Sequence, residues 1–179
     1  VRATLDTVSE GPQLALSDNR GNTVLFSLTS GSPFLAFNDS NQNTRISLSV
    51  PTTGESSAAL NLYGGDGNGR ISLVVSEDGV PLVGLSDDTD TLQFFFGVSS
   101  SGSPFLTLAD GDANERIKLV VAPDGTAGLV MSDGQGDGRL GVLLGSDGSP
   151  SIGLFDVDTD GVPAIAVFDA DGTVLFGAL

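Results

Sequence analysis

One loop of the sequence carries residues that could bind a metal ion. Asp156, Asp158 and Asp160 alternate with other residues, and the glycine after them completes the first six positions of a D-x-D-x-D-G calcium loop. Oxygen ligands at alternate positions, with glycine at a sharp turn, suit this hard cation. The twelfth position is Val167, where such a loop carries a bidentate Glu. The three acids are a candidate calcium site, but Asp and Gly are also the residues that β-turns require, and turn formation is the simpler interpretation.

The composition excludes most side-chain catalysis. The chain has 179 residues, with no His and no Cys, so it lacks a Ser-His-Asp or Cys-His nucleophile and the usual ligands of zinc, haem and iron–sulfur centres. A glycosidase needs only two carboxylic acids. However, the acidic residues lie in turns, and a chain with no Trp and one Tyr has little to stack on a sugar. The sequence therefore predicts a protein that is not an enzyme and has no cofactor other than calcium.

The charge balance argues against two classes of partner. The chain has 7 basic and 23 acidic residues, giving a formal net charge of -16. Nucleic acids bind clustered Lys and Arg, so no nucleic-acid partner is expected. Spanning a bilayer takes about 20 consecutive apolar residues, and no run in the sequence approaches that length. No transmembrane segment is expected.

An internal repeat is the strongest signal in the sequence. The segment G-S-P-F-L-T-L-A-D at Gly102 aligns with G-S-P-F-L-A-F-N-D at Gly31, and related copies occur along the chain. A fixed period of this kind is typical of repeat architectures. Copies begin near residues 11, 31, 54, 79, 102, 125, 148 and 161, mostly 23 residues apart. The sequence predicts one β-repeat domain over residues 1–179.

Each copy contains two segments in which apolar residues occupy alternate positions. Leu106/Leu108 followed by Ile117/Leu119/Val121 is one example. Strict alternation is the period of a β-strand, and no segment shows the spacing of an amphipathic helix. The short polar connections suit hairpins. We therefore predict an all-β fold of about 15 short strands in an elongated antiparallel hairpin stack or meander. A β-solenoid, with parallel pairing between copies, is the alternative.

A column of basic residues recurs in the repeat. Its members, with Gln93 in the same slot of one copy, are Arg45, Arg70, Arg116 and Arg139. Aspartates precede them in the loops between the two segments. The simpler interpretation is that each Arg pairs with a neighbouring loop carboxylate. A site for an anionic partner is the alternative, which the excess of acid disfavours.

The second face of each predicted strand is unusually apolar. Its residues are mainly small or hydrophobic, and Lys118 is the one charged member among the positions compared. A solvated sheet face normally carries more polar and charged residues. The pattern favours a closed prism, a two-layer stack or an oligomer. A monomer that wraps onto itself is the alternative.

The cadence G-x-P-x-L-x-L-x-D-x-x-G-x-x-R-x-x-L resembles repeats in uncharacterised bacterial exported proteins. The agreement is best over Gly31–Val50 and Gly102–Val121. The repetitive strands also look loosely like the β-rich shafts of viral and phage fibres, in which trimers bury a shared core. The resemblance implies a β-repeat fold and export from the cell, and it carries no catalytic residues.

These observations predict a structural protein that self-assembles. An apolar segment near the C-terminus, with Val174, Phe176 and Leu179, is expected to form an unprotected edge strand that joins another copy. We expect an extracellular or cell-surface protein whose secretory signal has been removed before Val1. Its partner would be itself, in a fibre or fibre-like oligomer. The alternative is a monomeric binding module that presents acidic loops to calcium, a glycan or a protein.

Overall fold

The computed structural model describes residues 2–8, 11–29, 31–50, 58–154, 165–168 and 174–178. These residues form sixteen β-strands and no helix. The described part of the chain therefore contains no helix that could span a membrane. The strands are β1 (Arg2–Val8), β2 (Gly11–Ser17), β3 (Thr23–Thr29), β4 (Ser32–Asn38), β5 (Thr44–Ser49), β6 (Ala58–Tyr63), β7 (Gly69–Val75), β8 (Pro81–Ser86), β9 (Leu92–Val98), β10 (Pro104–Ala109), β11 (Glu115–Val121), β12 (Ala127–Ser132), β13 (Gly138–Leu144), β14 (Pro150–Leu154), β15 (Ile165–Phe168) and β16 (Val174–Ala178).

Fourteen of these strands, β1 to β14, form one antiparallel sheet in sequence order. Each interior strand pairs with its neighbours in the chain, so the sheet is a continuous hairpin meander. This confirms the predicted all-β fold and the hairpin topology, and the β-solenoid alternative is wrong, because its strands would pair in parallel. The remaining strands, β15 and β16, pair with each other in a separate antiparallel hairpin.

The 23-residue repeat divides into four parts of constant length. In the copy that begins at Pro104, a six-residue strand (β10) is followed by a five-residue loop (110–114), a seven-residue strand (β11) and a five-residue turn (122–126). The copies that begin at Ala58, Pro81 and Ala127 have the same division. Equal connections keep equivalent residues of successive strands opposite one another, because the connection length sets hairpin register.

The register lines up one large apolar residue from every strand of the sheet. Leu106, for example, lies opposite Phe96 on one side and Leu119 on the other. We call this series the first row. In strand order its members are Leu5, Leu14, Phe26, Leu35, Leu48, Leu60, Leu73, Val83, Phe96, Leu106, Leu119, Leu129, Val142 and Ile152.

Two further rows flank the first row on the same face. The second row is Leu16, Val24, Phe37, Ile46, Leu62, Ile71, Leu85, Phe94, Leu108, Ile117, Met131, Leu140 and Leu154. The third row is Pro12, Leu28, Pro33, Val50, Ala58, Val75, Pro81, Val98, Pro104, Val121, Ala127, Leu144 and Pro150. We name the face that carries these three rows the aliphatic face, and its opposite the mixed face.

The sheet is a single layer. Among the described elements, each strand contacts only the strands with which it pairs, and β1 and β14 lie at the two lateral edges. Neither the closed prism nor the monomer that wraps onto itself is therefore present in this sheet. Side chains are covered only by neighbours on their own face. As a result, the single apolar residue that is fully buried in the described part of the chain is Ala36, at 1% exposure.

The loops and turns share one backbone conformation. In the loop after β10, the N–H of Asp110 donates to the carbonyl of Asn114 at 3.0 Å, and the N–H of Ala113 donates to the carbonyl of Asp110 at 3.0 Å. The fourth residue of each such connection has a positive φ. In the turns this residue is glycine, but the loop residues Gln42, Asp90 and Ala113 have φ of 65°, 67° and 64°. This left-handed conformation is strained for a residue with a Cβ.

We predict that Ala113→Gly stabilises the protein, because glycine adopts a φ of 64° without the Cβ strain of roughly 1–2 kcal/mol. After the extra chain entropy of glycine is subtracted, the expected gain is about 0.5–1 kcal/mol. Chemical denaturation measures this free energy. The control is Ala127→Gly in β12, which should lose roughly 0.5–1 kcal/mol. Equal losses in the two variants would contradict the prediction.

Candidate assembly surface

The aliphatic face is large, apolar and open to solvent. All the exposed large hydrophobic residues of the described chain lie on it except Leu143. Every second interior member of the first row is exposed, such as Leu119 at 45%, and the members between them are half-buried. Contiguous exposed patches larger than a few hundred Å² mark interaction surfaces. Alternation of this kind is typical of a strand with one buried face, whereas in the sheet these residues form the most exposed apolar surface.

Exposure rises where the first row reaches the edges of the sheet. Leu5 on β1 is 81% exposed and Ile152 on β14 is 73% exposed. Each has a paired neighbour on only one side among the described strands. A strand added at either edge would therefore continue both the backbone ladder and the apolar row.

The mixed face covers itself by placing large side chains over small ones. A Cβ built on Gly84 would lie 2.7 Å from a Cδ of Leu92, and one on Gly128 would lie 2.6 Å from a Cδ of Leu143. Phe95 and Phe105 meet edge to face, with ring centroids 6.0 Å apart. Large neighbours thus occupy the space above the small residues. The mixed face has less need of a partner than the aliphatic face, where large residues lie beside large residues.

The two faces also differ in charge. The four arginines of the repeat column and Lys118 follow the alternation of the mixed face, as the pairing of Lys118 with Thr107 and Val130 illustrates. No member of the three rows of the aliphatic face is ionisable. Burial of the aliphatic face therefore carries no cost for desolvating a charge.

Two shallow hollows lie along the aliphatic face. One, of about 1020 Å³, runs between β7 and β14 and is lined by residues such as Leu73, Leu106 and Leu144. The other, of about 430 Å³, lies between β1 and β5 and is lined by residues such as Phe26 and Leu48. Both leave room for side chains from another surface.

The acidic loops lie along one long margin of the sheet and satisfy their own backbone. Asp110 begins its loop, and its Oδ1 accepts the N–H groups of Asp112 at 3.1 Å and Asn114 at 3.0 Å. The loops that begin at Asp18, Asp39, Asp87 and Asp133 repeat this arrangement. One oxygen of each carboxylate is thus already engaged within its loop.

The second oxygen of the loop Asp meets the arginine column. Arg116 contacts Asp110 at 3.2 Å, and Arg139 contacts Asp133 at 2.7 Å. In the copy with Gln93, the side-chain amide donates instead to Asp87 at 2.6 Å. The predicted pairing of Arg with loop carboxylates is confirmed, including the equivalence of Gln93. These pairs are partly exposed to water, which screens them, so each adds little to the stability of the fold.

These contacts lower the pKa of several loop carboxyls. For Asp110 the largest cause is the N–H of Asn114, and the Arg116 hydrogen bond adds to it against the opposing effect of burial. For Asp87 the Thr89 hydroxyl is the largest cause, followed by the N–H of Thr91. Hydrogen bonds and nearby cations favour the ionised carboxylate, so these loops are held together best when their aspartates are charged.

The residues predicted to bind calcium, Asp156, Asp158 and Asp160, lie outside the described residues. Within the described part of the chain, His, Cys, Asp and Glu form no group of three that could hold a metal ion. Calcium binding stays a prediction. Calorimetric titration with calcium should give heat that is lost in the Asp158→Asn variant. Absence of heat with the wild-type protein would contradict it.

The predicted assembly residues lie partly in the last hairpin. The backbone of Val174 pairs with Phe168, and that of Phe176 pairs with Val167, so both belong to strand β16 as expected. Leu179 lies outside the described residues. The sequence did not indicate that the aliphatic face stays exposed. Its rows, however, follow from the equal connections, which place large residues opposite one another in every strand.

The fold defines the class of protein: an all-β repeat protein built as an open, single-layer meander. No protein-family model matches the chain, and no curated protein matches it. Among solved structures, the chain is similar to the SAS-4 TCP domain of Drosophila melanogaster, solved in complex with a proline-rich motif of Ana2. The identity is 10% and the TM-score 0.35, over 78% of this chain and 88% of that chain. A likeness of this degree carries no information about function.

We predict that acid weakens the loops. The pKa of Asp110 is lowered in the folded protein, so its contribution to stability is present above the unfolded pKa of about 3.9 and is lost as the pH falls through the folded value. The melting temperature measured from pH 6 to pH 2.5 should therefore fall less steeply below pH 4 in Asp110→Asn than in the wild type.

The matched control is Asp112→Asn in the same loop, which removes one charge without removing the carboxylate that accepts the loop N–H groups. Its melting curve should fall as steeply with acid as that of the wild type. If both variants were equally insensitive to pH, general charge repulsion and not the Asp110 contacts would govern the acid response.

Proposed function

We propose that this protein is a structural protein of the cell exterior or cell surface that self-assembles into a fibre or fibre-like oligomer. Assembly would combine strand pairing at the sheet edges with packing of sheet faces. The observation that carries the proposal is the single-layer sheet, in which no second layer of the described chain covers the three apolar rows. The location outside the cell rests on the resemblance of the repeat to bacterial exported proteins.

The hydrophobic effect supplies the driving force. Removing apolar surface from water stabilises by about 25 cal/mol per Å², and the aliphatic face offers this surface without an accompanying charge. Within the described chain no second layer covers it. Contact with other copies would bury Leu and Val side chains that the sheet itself leaves open.

Strand pairing supplies the direction of growth. Among the described residues, β1 pairs only with β2 and β14 pairs only with β13, so each edge presents a row of N–H and C=O groups. Such edges are templates for pairing with another chain. Pairing of β14 of one copy with β1 of the next would continue the meander, and the hairpin β15–β16 offers further strands of the same kind.

The acidic loops favour assembly over the alternative of a monomeric binding module. Their aspartates already accept backbone N–H groups and pair with Arg or Gln, as in the contacts of Asp110 and Asp87. The loops therefore serve to hold the connections and to give the margins of the sheet a negative charge. That negative charge repels neighbouring assemblies and so opposes their lateral aggregation, and salt screens the repulsion.

We expect the mass measured by light scattering to exceed 18.1 kDa and to increase with protein concentration, since association is driven by mass action. Negative-stain electron microscopy should show elongated particles of variable length. Salt should increase the mass, because it screens the negative margins of neighbouring copies. Monodisperse particles of 18.1 kDa at every concentration would contradict the proposal.

A further inference from the structure

We infer that the aliphatic face is buried against the aliphatic face of a second copy of this chain, so that two sheets form a sandwich with their mixed faces outside. This inference rests on the proposed function, and it specifies which face of the sheet is buried inside the assembly. The area of the face, its shape and its charge favour this partner.

The area of the face is sufficient for a stable dimer. Fourteen strands at a spacing of about 4.8 Å extend over about 60 Å. The second and third rows are four residues apart along a strand, or about 14 Å. The rows therefore cover roughly 800–900 Å², and a standard interface buries about 800 Å² on each partner.

The shape of the face suits a copy of itself. Neighbouring rows occupy every second position along a strand, so parallel ridges about 7 Å apart alternate with grooves. The hollows of about 1020 Å³ and about 430 Å³ lie along these grooves. Because each row keeps the same kind of residue along its length, the face is complementary to itself under the twofold symmetry typical of homodimers.

The charge of the chain favours a second copy over a lipid surface as the occupant. The aliphatic face carries no ionisable residue in its rows, and the Arg and Lys side chains follow the mixed face. Docking on anionic headgroups relies on basic residues beside the apolar face, which the rows lack. The net charge of -16 repels a second copy as well, and the burial of uncharged apolar surface has to outweigh that repulsion. In the sandwich, the acidic loops lie at the margins, where water and salt screen them.

The first test compares two neighbouring residues of β11 that point to opposite faces. Leu119 belongs to the first row of the aliphatic face, and Val120 lies opposite Phe105 on the mixed face. Leu119→Glu places a charge in the proposed apolar interface, where an unpaired charge is costly. We expect it to weaken association at least about tenfold in sedimentation equilibrium, and we expect Val120→Glu to associate as the wild type does.

Circular dichroism of both variants checks that each keeps its β-sheet spectrum.

A second test does not depend on whether the sheet tolerates an introduced charge. The chain contains no Cys, so a single introduced thiol reports one position. Leu73→Cys lies on the aliphatic face of β7, near the middle of the sheet, and Val74→Cys lies on the opposite face. Two sheets packed face to face can be related by a twofold axis that runs either along the strands or across them. With either axis at the centre of the sheet, the central strands of the two copies lie over one another.

A short bis-maleimide should therefore link Leu73→Cys into dimers on a denaturing gel and leave Val74→Cys monomeric. Dimers from Val74→Cys but not from Leu73→Cys, or association unaffected by Leu119→Glu, would overturn the inference while the proposed function stood. Association seen only with added lipid vesicles would overturn it in favour of a membrane surface. A wild-type protein that is monomeric at every concentration would overturn both.

Discussion

The constant register of the meander is the constraint on which the rest of this structure depends. A β-strand exposes alternate residues to opposite faces, so a shift of one residue moves a whole apolar set to the other side of the sheet. Five-residue connections at both ends of the regular copies prevent that shift. The shared hydrogen bonds of these connections hold their length, as in the bond from Ala113 N to the carbonyl of Asp110. The rows follow from this repetition.

The two faces of the single layer differ in how their side chains are covered. On the mixed face, large side chains such as Leu143 lie over glycines such as Gly128, and Ser47 and Thr107 are buried at 3% and 0% exposure by their neighbours. On the aliphatic face, residues of similar size stand side by side, and nothing in the described chain lies above them. The mixed face is thus covered largely by its own side chains, whereas the aliphatic face stays open to solvent in the described part of the chain.

Several features of this molecule could be predicted from the sequence because they depend on local chemistry. Alternation in segments such as Ile117–Val121 indicated strands, and the turn residues indicated hairpins. The position of Arg116 relative to Asp110 indicated their pairing. Strand β1 was missed because its alternate apolar positions hold only Ala3 and Leu5, and the next one holds Thr7. The positive φ of Ala113 was also missed, since Ala has no preference for that conformation. Alternation tells which residues share a face, but it does not tell whether another layer covers that face.

Small-angle X-ray scattering of the assembled wild-type protein tests the central claim most directly, because it measures the thickness of the particle in solution. Packed sheets lie about 10 Å apart. If the aliphatic faces are buried against each other, the scattering should give a cross-section at least two sheets thick, or about 20 Å. Assemblies that grow in length while keeping a thickness of about 10 Å would show that the apolar rows stay exposed, and would contradict the claim.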